Sequence, residues 1–175
     1  MASRAELRLP TSSPKRQAQN KITWNASRSA DAADFFTTGY SGRQLEDILD
    51  TLCQYRVRTL IDVRTNAVSM YRPEFSKRNL EAALADRGIG YDHRPQFGIP
   101  REIRAKAINS GSRDVLWEWY DKYVNEIYIG TNLHRFFNTM EHPSVLMCSE
   151  FDPTECHRHR LCLYLERLGL HGFDL

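Results

Sequence analysis

The sequence predicts an α/β fold: a mostly parallel sheet flanked by helices, in a single three-layer domain. Three observations carry that expectation. Short apolar runs recur at 35–38 (FFTT), 57–63 (VRTLIDV), 89–91 (IGY) and 144–147 (SVLM). Segments with apolar residues at helical spacing lie between them, the succession expected of a parallel sheet. Cap and stop residues punctuate those helical segments.

Each element can be argued in order. Phe35 to Thr38 reads as a buried strand, with Gly39-Tyr40 as its turn. Ser41 followed three residues later by Gln44 is a capping box, and the helix it opens has Leu45, Ile48, Leu49 and Leu52 as its stripe. The second strand, 57–63, ends at Arg64, and the loop TNAVSMYRPEF follows. Ser76 can cap a second helix, with Leu80 and Leu84 inward and Gly88 as its stop. A short third strand begins at 89–91, and 95–111 read as loop and short helix. Ser112 opens a helix carrying Val115, Leu116, Trp119 and Tyr123, and another is expected near 131–140. Residues 116, 119, 120 and 123 share one face, the pattern of core packing or a lid. After the strand at 144–147, Asp152-Pro153-Thr154-Glu155 combines an Asp cap, Pro at the first helical position and Glu at the third. That helix should run to about Leu168 and close at Gly169. Residues 172–175 fit a last edge strand.

Residues 1–33 carry six basic and two acidic side chains and little apolar periodicity. They are expected to form a disordered basic tail ahead of a domain spanning 34–175. Of the chain's 24 basic and 22 acidic residues this leaves 18 and 20 in the body. The body is therefore not a basic nucleic-acid binder by bulk charge, and any anion site on it must be local. No apolar run approaches a membrane span, and no apolar leader region opens the chain. None of the four cysteines forms a C-x-x-C pair. A reduced, cytoplasmic setting and no membrane partner are expected.

Ligands of parallel sheets sit beyond the carboxyl ends of the strands. Four loops should gather there, at 39–41, 64–75, 93–100 and 148–152, and they hold the chemically active residues. Cys148, where a strand hands over to a loop, is a candidate nucleophile, or else a small buried apolar residue. Glu150 and His157 are candidates to move a proton. Arg64, Arg158 and the helix start at Ser41 are candidates to hold an anion. Arg64 could instead pair internally with Asp62 or Glu150. Asp62, a charge within an apolar run, reads first as structural support. Tyr40 and Tyr71 lie on the site loops, where they could stack on a ring.

With Leu161 at the centre of the last helix's inner face, His157 and Arg158 fall inward, while Cys156 and His159 point away. On a regular helix His157 projects about 160° from His159 and about 100° from Cys156, so these side chains should not converge on one ion. The spacing also matches no standard zinc signature. No metal or cofactor is expected, although Cys148 with His157 and a carboxylate remains a metal alternative.

The succession FTTGYS, TLIDVR, PEFSK, GIGYDHRPQFG and VLMCSEFDPTECHR resembles the domain of unknown function family 488, over roughly 35–168. Its most specific element is Cys148, Glu150, Cys156, His157 and Arg158; the second is Asp62 to Arg64. At Gln96-Phe97-Gly98 the family more often has a Leu-Gly-Gly type turn. The resemblance implies the α/β fold and no settled activity.

The function expected from the residues is an enzyme acting on an anionic, phosphate-bearing substrate, a nucleotide or nucleic-acid end, at a Cys/Glu/His/Arg pocket. The alternatives are a nucleic-acid-binding module without chemistry and a metal-binding protein.

Overall fold

The structure is a computed structural model, and it describes residues 25, 28–128, 137 and 139–175. Strand β1 (Phe35–Gly39) leads to helix α1 (Leu45–Gln54), β2 (Thr59–Asp62), α2 (Lys77–Ala85) and β3 (Gly90–His93). Helices α3 (Arg101–Ser110) and α4 (Asp114–Tyr128) follow, then β4 (Ser144–Cys148), α5 (His157–Arg167) and β5 (Gly172–Asp174). The helix expected near 131–140 lies mostly outside the described residues.

The five strands form one sheet in the order β3-β2-β4-β1-β5, and every pairing is parallel. Each central strand feeds both faces by simple alternation. Phe35, Ile61, Leu146 and Cys148 face one side, where they meet Ala107 of α3, Tyr120 of α4 and Leu161 of α5. Phe36, Leu60, Val145 and Met147 face the other, against Leu49 of α1 and Leu80 of α2. Helices thus cover both faces in three layers, and the central strands β1, β2 and β4 are largely buried on both faces.

Two neighbouring strands send their connections to opposite faces. β1 continues into α1 on one side, and β4 continues into α5 on the other. The β1–β4 boundary is therefore a topological switch point, which leaves a crevice beyond the strand ends. Gly39 and Cys148 are partners in register at that place.

Two helix starts differ from expectation. The Ser41–Gln44 capping box does not form, and α1 opens at Leu45 with Gln44 in the cap position and no side-chain cap bond. The β1–β4 ladder instead runs on past β1: Tyr40 N–H donates to the Cys148 carbonyl at 3.4 Å and Ser41 N–H to that of Ser149 at 2.8 Å. A turn with Gly42 at φ 77° must then reverse the chain before a helix can begin.

At the second start, Asp152 does cap, its carboxylate accepting from Thr154 N–H at 2.9 Å. But it caps a single 3-10 turn, Pro153–Glu155. Cys156 returns to extended backbone (φ −126°, ψ 144°), and α5 starts only at His157.

Other boundaries follow their residues. Ser76 occupies the cap position of α2, though its hydroxyl serves the Ser69 backbone rather than the helix. Residues 172–174 form the edge strand beside β1. Within the stretch read as tail, Asn25 exchanges two hydrogen bonds with the backbone of Asp174, at 2.8 and 3.1 Å. Arg28 pairs with Glu166 at 3.2 Å.

Candidate functional site

Cys148 is the last residue of β4, and Glu150 lies just beyond it. The Glu150 carbonyl oxygen occupies the space where a Cβ on Gly39 would stand, so only glycine lets the chain fold back over β1 here. The 3-10 turn then returns Cys156 to the same spot, and His157 follows as the first residue of α5.

These positions converge. Glu150 Oε2 lies 3.3 Å from Cys148 Sγ and 3.1 Å from Cys156 Sγ, and accepts from Ser149 Oγ at 3.0 Å. His157 Nδ1 lies 3.8 Å from Cys148 Sγ and 4.0 Å from Cys156 Sγ. The other ring nitrogen, Nε2, donates to the Val63 carbonyl at 3.0 Å and lies 3.9 Å from Cys148 Sγ, so that sulfur faces both ring nitrogens almost equally. Tyr120 packs edge-on against the ring, with centroids 5.4 Å apart, and its hydroxyl donates to the Phe97 carbonyl at 2.8 Å. Both cysteines and His157 are buried, and Glu150 is half-buried at the mouth.

The electrostatics follow from that packing. Burial alone raises the Cys148 thiol, but the hydrogen bond with Cys156 and the charge of His157 outweigh it and lower the pKa, against the Glu150 charge. Cys156 moves the opposite way, pushed up by burial and then by its bond to Cys148. Burial also raises the Glu150 carboxyl, yet Arg104 first and His157 second hold it well below the usual carboxylate range. His157 is raised, because the Cys148 charge and hydrogen bond overcome its burial. Both thiols lie within donating reach of the Glu150 carboxylate, Cys156 at 3.1 Å and Cys148 at 3.3 Å.

The structure divides the candidate residues between the two faces of the sheet. On the face of α5 lie Cys148, Glu150, Cys156, His157 and Arg158. Arg158 is completely buried: it donates to the carbonyls of Glu150 and, at 3.0 Å, Phe151, and pairs with Asp174 at 3.2 Å.

On the face of α1 lie Asp62, Arg64 and Tyr40. Arg64 forks onto Asp62, with Nε 2.8 Å from Oδ1 and Nη2 2.5 Å from Oδ2, and adds the Phe75 carbonyl at 2.8 Å and the Tyr40 hydroxyl at 3.3 Å. Tyr91 donates to the same carboxylate at 2.7 Å, and Tyr40 stacks on Phe75. The Ser41 N–H points into the ladder, and Tyr71 is 65% exposed on its loop.

Arg104 and Tyr120 belong to the site and carry no sequence signal for it. Arg104 sits on α3, a stretch that reads as loop and short helix, and its charge is the largest acting on Glu150. Its Nε donates to the Ile99 carbonyl at 3.2 Å, while its two terminal nitrogens meet no acceptor among the described residues. Tyr120 reads as one more aromatic on a core stripe.

The expected divergence of Cys156 from His157 is corrected. Cys156 is an extended cap residue outside the helix, so the helical projection does not apply, and both side chains reach Cys148.

A protein-family comparison matches residues 44–165 to Domain of unknown function DUF488. The chain belongs to this family. The matched DUF488 region contains the whole cluster, from Asp62 to Arg158, and leaves β1 and β5 outside it. No curated protein matches the chain, and no solved structure matches it. Among the described residues, no helix is long and apolar enough to cross a membrane.

Proposed function

We propose that this DUF488 chain is an enzyme acting on an anionic, phosphate-bearing substrate, of the kind found in a nucleotide or a nucleic-acid end. One observation carries the reading. Cys148, Glu150 and His157 meet at the switch point of the sheet, and Arg104, whose charge acts on Glu150, has terminal nitrogens that meet no acceptor among the described residues.

In this reading Arg104 meets the anion, because a guanidinium fork matches phosphate oxygens in pairs. Glu150, half-buried at the mouth, moves the proton. Cys148 and His157 form the floor on which the reacting group rests. Arg64 and Arg158 support the site indirectly, by bracing from opposite faces the strand ends that frame it.

The test is a turnover screen over phosphomonoesters, nucleotides and oligonucleotides with phosphorylated ends. Glu150→Gln should lower kcat by about 10²-fold or more. Arg104→Ala should raise KM and lower kcat/KM, since it removes the guanidinium that holds the anion. Full turnover in the Glu150 variant, or equal KM in the Arg104 variant, would refute the assignment.

A further inference from the structure

The cluster has the donor set and spacing of a metal centre. We propose that Cys148, Cys156 and His157 together bind one zinc-class divalent ion, with Glu150 flanking its fourth position. This deepens the active-site reading and rests on it.

Three facts support the assignment. The first is spacing. Zinc takes thiolate at about 2.3 Å and imidazole nitrogen at about 2.0–2.1 Å, so a tetrahedral site sets sulfur and nitrogen about 3.6 Å apart. Here Nδ1 lies 3.8 and 4.0 Å from the two sulfurs, and the three donor atoms all fall within 4.8 Å of one another. Ligation needs a contraction of a few tenths of an ångström on the two nitrogen–sulfur edges and a turn of the ring that aims Nδ1 between the sulfurs, because Nε2 lies as close to Cys148 Sγ as Nδ1 does.

The second is orientation. A metal-bound histidine typically donates its other ring N–H to a carbonyl or carboxylate, which fixes the ring for the ion. His157 Nε2 already donates to Val63 in this way, and Tyr120 backs the ring.

The third is the backbone origin of the donors. One comes from a strand end, one from an extended cap residue and one from the first position of a helix. Three such positions can point at one centre, as three residues of one helix turn cannot. All three donors are buried at 2% exposure or less.

Glu150 Oε2, 3.1–3.3 Å from both sulfurs, stands where it can take a proton from water bound at the fourth position. Softness decides the metal class: two thiolates and an imidazole favour zinc over magnesium or calcium.

The test is metal analysis of untagged protein purified without chelator. About one equivalent of zinc is expected, and Cys156→Ser and His157→Ala should each lose it. Because a buried substitution can cost folding, the wild type supplies a second readout. Alkylation mapped by mass spectrometry should label exposed Cys53 from the start, and Cys148 and Cys156 only after a chelator is added. Cobalt substitution should give a thiolate-to-metal charge-transfer band that free zinc abolishes. Wild-type protein with no metal and no cobalt band would overturn the proposal, as would metal retained in both variants. Metal-free protein whose turnover still depends on Glu150 would overturn the ion and leave the active site standing. A bound ion in protein that turns over no phosphate-bearing substrate would do the reverse.

Discussion

Asp62 shows how a single residue can be chemically conspicuous and yet structural. It is a charge at the end of a buried strand, and it accepts from Arg64 through both carboxylate oxygens and from Tyr91. Asp62→Ala would leave the Arg64 guanidinium buried beside an empty space. Loss of one partner of a buried pair costs about 3–5 kcal/mol. A fall of that size in the free energy of urea unfolding is expected, and a loss under about 1 kcal/mol would show that Arg64 finds other partners. The pairing of Arg64 with Asp62 was legible in the sequence as one of two outcomes. What could not be read was that Arg64 and Arg158 sit on opposite faces of the sheet. Strand alternation fixes the face of Asp62, but the loop beyond β2 decides where Arg64 goes. Arg104 was missed for a similar reason: nothing local marks a helix residue whose importance comes from a strand end packed against it.

At the scale of elements, apolar spacing located the strands and the helices α1, α2, α4 and α5, while the ten-residue α3 was read as loop and short helix and two helix starts were misplaced. The Ser41 box and the Asp152 signature are local patterns, and they report what the backbone prefers when only neighbours matter. At Ser41 the sheet ladder claims the N–H groups first. At Asp152 the cap works, but Glu155 is held by Arg113 and the Cys156 thiol lies against Glu150, so the chain breaks and restarts. Asp152→Ala should cost about 1 kcal/mol, the usual worth of a lost cap. In a chain of this size that lowers Tm by about 2–4 °C. The same variant should loosen Cys156 and speed its alkylation. Unchanged Tm and unchanged alkylation would mean that the turn holds without its cap.

For the whole molecule, the sequence-distant ends are tied together on β5. Asn25 bonds both backbone groups of Asp174, while the side chain of Asp174 accepts from Thr37 at 2.5 Å and pairs with Arg158. An edge strand of three residues is short, and these bonds secure it beyond its ladder with β1. Asn25→Ala removes two hydrogen bonds worth about 0.5–1.5 kcal/mol each. Together they are worth about 1–3 kcal/mol, so Tm should fall by about 2–12 °C. An equal Tm would show that water replaces both bonds at no cost. This tie reaches α5, the helix that carries His157, through the Arg158–Asp174 pair.

The amino-acid order by itself settled the layered α/β architecture, because periodicity and apolar runs are properties of neighbouring residues. It also singled out Cys148, Glu150 and His157, since charged and nucleophilic groups at strand ends stand out in one dimension. Only the tertiary structure decided that Cys156 joins them, that Arg64 and Arg158 part company, and that Arg104 arrives from another helix. Those outcomes depend on which backbone groups are already hydrogen-bonded when distant segments meet, and competition of that kind is invisible until the chain has folded.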